Sequence, residues 1–139
     1  MAKVRSNIRS NKAAGRELQN WTCKQFSGAL ETPWGTADDL EIRPRPGGQG
    51  GVDIIFSVRL KALLSRLGIP HSVECKNHKT WNVQKAIIQA RNNSSTGKDW
   101  ALIMKRRSQQ KAEKIEPVIV MDASVFFELL GSLHGKSKN

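Results

Sequence analysis

The sequence predicts a single α/β domain with a mixed central β-sheet flanked by helices. Two observations carry this. Short β-branched and aliphatic stretches, bounded by Gly, Pro and Asn, alternate with longer stretches whose apolar residues recur every three or four positions. The order is helix, strand, strand, strand, helix, strand, strand, helix, and such an order buries a mixed sheet beneath helices. The 139 residues are enough for one modest core, and no repeat or second domain is visible.

Residues 1–10 carry Lys3, Arg5 and Arg9 and read as a flexible basic arm. A helix is expected over 11–26, capped by Ser10 or Asn11, with Leu18, Trp21, Thr22 and Phe26 facing the core. Glu17 lies at the edge of that stripe, and Gly15 permits a close approach to the helix. Gly28, Pro33 and Gly35 mark residues 27–39 as a loop before a short strand at 40–43. The run from Arg43 to Gly51 is stiffened by proline in its first half and loosened by glycine in its second. It leads into a strand over 52–58.

Leu60, Leu63, Leu64 and Leu67 stand at helical spacing in 59–67, closed by Gly68 and Pro70; this reads as a short helix or a helical hairpin arm, and the segment 59–70 lengthens the connection to the next strand at 71–77. Thr80 is the expected cap of a helix over 81–92. A strand over 100–105, buried on both sides, precedes a charged loop at 106–116 and a strand at 117–121. Asp122 is the expected cap of a last helix through 133, whose core stripe is Phe126, Leu129, Leu130 and Leu133. Residues 134–139 read as a flexible tail.

Lys and Arg number 23 against 12 Asp and Glu, a net charge of +11, which points to a polyanionic partner. No apolar run is long enough to span a bilayer, and the first residues have no apolar core behind their charges. Neither a membrane partner nor a signal peptide is expected. Cys23 and Cys75, with His71, His78 and His134, make no zinc spacing and no disulfide framework. The expected setting is intracellular, cytoplasmic or nucleoid-associated.

The stretch that carries chemistry is Ser72-Val73-Glu74-Cys75-Lys76. Side chains alternate across a strand, so Glu74 and Lys76 share one face and Val73 and Cys75 the other. Asp53, on a neighbouring strand, would add a second carboxylate. Two carboxylates at one point favour a hard cation such as Mg²⁺. A lysine beside that cation suits phosphodiester cleavage. An acid and a lysine two apart on a strand are ordinarily a solvated face. The apolar surroundings, the glycine-rich approach to Asp53 and the basic chain argue otherwise here.

Gly15-Arg16-Glu17-Leu18, the Arg/Gly-rich run into Val52-Asp53-Ile54, Val73-Glu74-Cys75-Lys76 and a following helix with a glutamine form an ordered set. That set resembles the PD-(D/E)XK nuclease superfamily and, within it, archaeal-type Holliday-junction resolvases and their viral relatives. The resemblance covers about residues 11–121, with Val52 where the motif has proline. It implies a restriction-endonuclease-like core and a Mg²⁺-dependent endonuclease in which Mn²⁺ can substitute. It also implies a homodimer that cuts branched or four-way-junction DNA, and a virus-encoded origin is compatible with it. On this resemblance Glu17, Asp53, Glu74 and the Cys75 carbonyl hold the metal. Lys76 stabilises charge near the attacking water. Gln89, with Gln84 as its rival, positions the water or the lysine. Phosphate contacts are assigned to Arg9, Arg43, Arg45, Arg106 and Arg107, and a dimer surface to Trp34, Phe56 and Phe127. A nuclease of other specificity (flap, nicking or mismatch) stays open, as does a non-catalytic DNA-binding protein. The intact acid and lysine set argues against the latter.

Overall fold

The computed structural model describes residues 2–47, 50–78, 82–106 and 116–137, with side chains described between 12 and 135. The fold is mixed α/β. Its elements in order are α1 (Ala2–Leu30), β1 (Ile42–Pro44), β2 (Ile54–Phe56), α2 (Val58–Leu67), β3 (Ser72–His78), α3 (Val83–Asn93), β4 (Trp100–Arg106), β5 (Val118–Val120) and α4 (Ala123–Ser137).

The single central sheet expected from the sequence is divided in two. β1 and β2 form an antiparallel pair, and β3, β4 and β5 form a mixed sheet in which β3–β4 is parallel and β4–β5 antiparallel. The parallel pair needs a crossover, which α3 supplies. The seam between the sheets lies at Asp53, whose N–H donates to the Val73 carbonyl at 3.0 Å. Only three residues of β2 pair with β1, because Ser57 leaves the strand to cap α2: its Oγ accepts from the Leu60 N–H at 3.2 Å.

Alternation along the strands produces two cores. Val73, Cys75 and Ile103 face a cluster built from Leu18 and Cys23 of α1, Ile42, Ile54 and Phe56 of the hairpin, and Leu60 and Leu64 of α2. Trp100, Leu102 and Met104 face Ala86 and Ala90 of α3 on the other side. The segment expected as an insertion, 59–70, therefore contributes to the first core. Phe56, expected at a dimer surface, is buried and meets Phe26 edge to face at 4.9 Å, and Trp34 is packed against the same core.

Other expectations shift for reasons of helix phase. The arm expected over residues 1–10 is helical from Ala2, and the expected tail belongs to α4 as far as Ser137. Trp21 is 39% exposed. The inward face of α1 runs through Leu18, Thr22, Phe26 and Leu30, and successive residues turn by about 100°, which leaves Trp21 outside it. Thr80 and Trp81 lie outside the described residues; the cap of α3 is Asn82, whose Oδ1 accepts from the Lys85 N–H at 3.1 Å. Asp122 does not cap α4 with its side chain. Its carboxylate accepts from Arg91 Nη2 at 2.8 Å and Trp100 Nε1 at 3.0 Å, tying α3 to β4. The stripe of α4 is exposed at Phe126, Leu130 and Leu133, while Leu129 is half-buried.

α2 ends at Gly68, whose φ of +75° lets its N–H reach the Leu64 and Ser65 carbonyls. A side chain there is strained in the left-handed region. Gly68→Ala should therefore cost about 1 kcal/mol of stability, read by urea unfolding. An unchanged midpoint would show that this turn does not depend on glycine.

Candidate active site

The hairpin sets the first functional side chain. Arg45 closes the loop between β1 and β2: its N–H donates to the Asp53 carbonyl at 2.8 Å, and its Nε donates to the Val52 carbonyl. Its guanidinium also packs on Gly51, where a Cβ would lie 3.1 Å from it and where φ is +105°. Asp53 is thereby held against β3. Its Oδ2 accepts from the Cys75 N–H at 2.8 Å, so a carboxylate occupies the place a strand carbonyl would take in the ladder.

β3 and α3 set the rest. Glu74 and Lys76 lie on the α3 face of β3. Lys76 Nζ donates to Gln89 Oε1 at 2.7 Å, and Asn93 Nδ2 donates to Glu74 Oε1 at 2.7 Å. The spacings match: two strand residues span about 6.6 Å and four helix residues about 6 Å. A helix packed antiparallel to β3 therefore meets both positions. Gln89, rather than Gln84, is the glutamine that reaches the lysine. Asn93 was missed from sequence, although its four-residue spacing from Gln89 was visible.

These groups line a cavity of about 410 Å³ together with Gly15, Gly51 and Asn77. Glu74 is 2% exposed, and it shares the cavity lining with Asp53. Burial and then the Asp53 charge push the Glu74 carboxyl up from 4.5 to about 7, against the opposing effects of the Asn93 amide and Lys76. Asn77 donates to the Ala14 carbonyl at 3.0 Å. This leaves its Oδ1 buried without a partner among the described residues.

Glu17 is not brought to this cavity. It is exposed, and it sits two residues past Gly15, about 200° around α1 from the glycine that lines the cavity. Among the described residues no group of three His, Cys, Asp or Glu side chains converges. Cys75 contributes its backbone N–H to Asp53, while its thiol turns into the core, 3.6 Å from Thr22 Oγ1, where burial raises its pKa.

The assigned arginines are distributed differently from expectation. Arg45 braces its own loop, and Arg43 pairs with the exposed Asp38 at 3.3 Å. Arg106 is exposed at the end of β4, while Arg107 and the side chain of Arg9 lie outside the described residues. No helix among the described residues is long and apolar enough to cross a membrane.

Because Glu74 titrates near 7 in the folded protein against 4.5 ordinarily, the folded state binds its proton more tightly than the unfolded chain does. Its contribution to stability is complete below about pH 4.5, declines as pH rises through 7 and is flat beyond. The decline is on the order of 3 kcal/mol. Glu74→Gln has no proton to lose and should abolish it. Urea unfolding of both proteins in acid and in mild alkali, without divalent cations, is the measurement. Identical pH dependence would contradict the assignment.

Compared with known proteins, the chain matches no family model, no curated protein and no solved structure.

Proposed function

We propose that this chain is a Mg²⁺-dependent endonuclease that hydrolyses phosphodiester bonds in DNA, with branched DNA such as a four-way junction as its substrate. The observation that carries this reading is that Asp53, Glu74 and Lys76 line one cavity, with Glu74 buried. Two like charges held together at a buried point are unfavourable alone and favourable around a cation.

The donor set fits Mg²⁺. Asp53 and Glu74 offer hard oxygens, and Mg²⁺ characteristically takes one or two carboxylates and completes its shell with water and phosphate oxygens. Mn²⁺ accepts the same ligands. When bound, the ion would supply Lewis-acid polarisation of the phosphoryl group. The chain's own residues do the rest. Asn93 fixes one oxygen of Glu74, and the Cys75 N–H fixes one oxygen of Asp53. Lys76 donates to Gln89 and is aimed by it, which suits stabilising charge on the phosphate rather than accepting a proton. Glu17 has no part at the metal in this reading.

Cleavage should require Mg²⁺ or Mn²⁺ and stop on chelation. Asp53→Asn and Glu74→Gln should reduce it to background while leaving DNA binding intact or stronger, because each removes negative charge beside a phosphate. Glu17→Gln should cut at close to the wild-type rate. Gel assays of the three variants decide it: activity in either of the first two would remove the site, and loss in the third would restore Glu17 to it.

Junction specificity needs two cuts, and one carboxylate pair per chain supplies one. The proposal therefore includes a homodimer, in which a second copy covers the exposed Phe126, Phe127 and Leu130 of α4. Light scattering should give twice the chain mass and Phe127→Asp the single mass, and competition binding should favour a junction over linear duplex. A monomer that cuts linear duplex as fast as junctions would leave a nuclease of other specificity.

A further inference from the structure

Beyond the carboxylate cavity lies a second one of about 340 Å³, and the two share Lys76, His78 and Gln89. The second is completed by Asn82 and Lys85, over a floor of Ala86 and Met104. Its walls follow from periodicity. Glu74, Lys76 and His78 alternate along one face of β3. Asn82, Lys85 or Ala86, Gln89 and Asn93 recur at three and four along one face of α3. The two rows bound one continuous groove.

Charge changes sign along it. At one end stand the Asp53 and Glu74 carboxyls; toward the other stand Lys85 and the imidazole of His78. Among the described residues no acid pairs with Lys85 or His78. Lys76 is at the junction of the two halves, fixed by Gln89.

A cation end joined to a basic end is complementary to a strand whose reacting phosphate meets the metal while its neighbour meets the lysines. We infer that the groove between β3 and α3 binds DNA beyond the carboxylates, with Lys85 and His78 contacting the backbone phosphate next to the one that is cut. This rests on the nuclease reading for the identity of the first phosphate. The contact is to backbone and carries no base preference. It also gives the strand a direction through the site, from the Asp53 end toward the start of α3.

Binding is the test, read on the full chain without divalent cation so that cleavage plays no part. Labelled DNA is titrated against salt with the wild type and with Lys85→Ala, Lys85→Glu and His78→Ala; the exposed Lys98→Ala serves as control. Lys85→Ala should weaken binding several-fold and reduce the slope of log affinity against log salt by about 1. Lys85→Glu should weaken it by a further tenfold or so, because it adds a repelled charge. His78→Ala should weaken binding less than Lys85→Ala, and Lys98→Ala should bind as wild type. Lys85 is exposed on its helix, and an unchanged circular dichroism melt confirms that the variants fold.

Wild-type affinity and slope in Lys85→Glu would overturn the inference. So would a labelled nucleoside triphosphate that binds as tightly as DNA and is lost on Lys85→Glu while DNA binding stays put. The outcomes separate from those of the nuclease reading. If the wild type never cuts with Mg²⁺ yet Lys85→Glu loses DNA, the groove stands and the enzyme does not. If the wild type cuts and Lys85→Glu binds normally, the reverse holds.

Discussion

Asp53 is the point on which the structure turns. Its carbonyl accepts from Arg45, its N–H donates to Val73 and its carboxylate accepts from the Cys75 N–H. The first closes the hairpin loop, and the other two join the hairpin to the larger sheet where no strand ladder does. Each bond is worth about 1 kcal/mol, and more where a charge is involved. The same bonds hold a negative charge against the buried Glu74. Architecture and electrostatic tension therefore have one origin: the residue that closes the seam crowds its neighbour.

That tension is contained by the facing helix rather than removed. Asn93 donates to Glu74, Gln89 accepts from Lys76, and the two helix residues match the two strand residues because the repeats of helix and strand nearly coincide over that distance. α3 is thus more than the crossover demanded by a parallel pair. One stripe, Ala86 and Ala90, packs on β4, and the adjoining positions orient the site. Small residues in the packing stripe bring the helix close enough for short amides to reach the strand.

The other face of the sheet does none of this chemistry. Leu60 and Leu64 of α2 and the inward side of α1 fill it with apolar atoms, and both thiols are buried there, with the Cys23 thiol pushed up to about 12 by burial. At the opposite end of β3, Asp99 is held down to about 2. Burial opposes that shift, and hydrogen bonds from Thr96, Ser72 and Ser95 outweigh it, so the network fixes the starts of β3 and β4. A rigid start on β3 helps keep Glu74 and Lys76 in register with α3.

What the sequence determined by itself was what local periodicity determines. Period two placed Glu74 and Lys76 on one face and Val73 and Cys75 on the other, and the helical repeat made Leu18 and Phe26 core residues. The glycine-rich run marked where the chain approaches Asp53, because only special backbone needs such a run. Tertiary structure decided the rest, because a repeat says which residues share a face and not what that face meets. Trp21 was expected in the core-facing α1 stripe and Glu17 at its edge, yet packing against β3 and the hairpin turned both outward. Arg45 read from sequence as a phosphate ligand, and only the closed loop shows that its Nε donates to the Val52 carbonyl. The stripe of α4 was as clear as any other, yet Phe126 and Leu130 remain exposed. Asp53 and Glu74 were expected at one point on neighbouring strands of a single sheet; the fold brings them to one cavity across the seam between two sheets, a pairing of residues 21 apart that local periodicity does not specify.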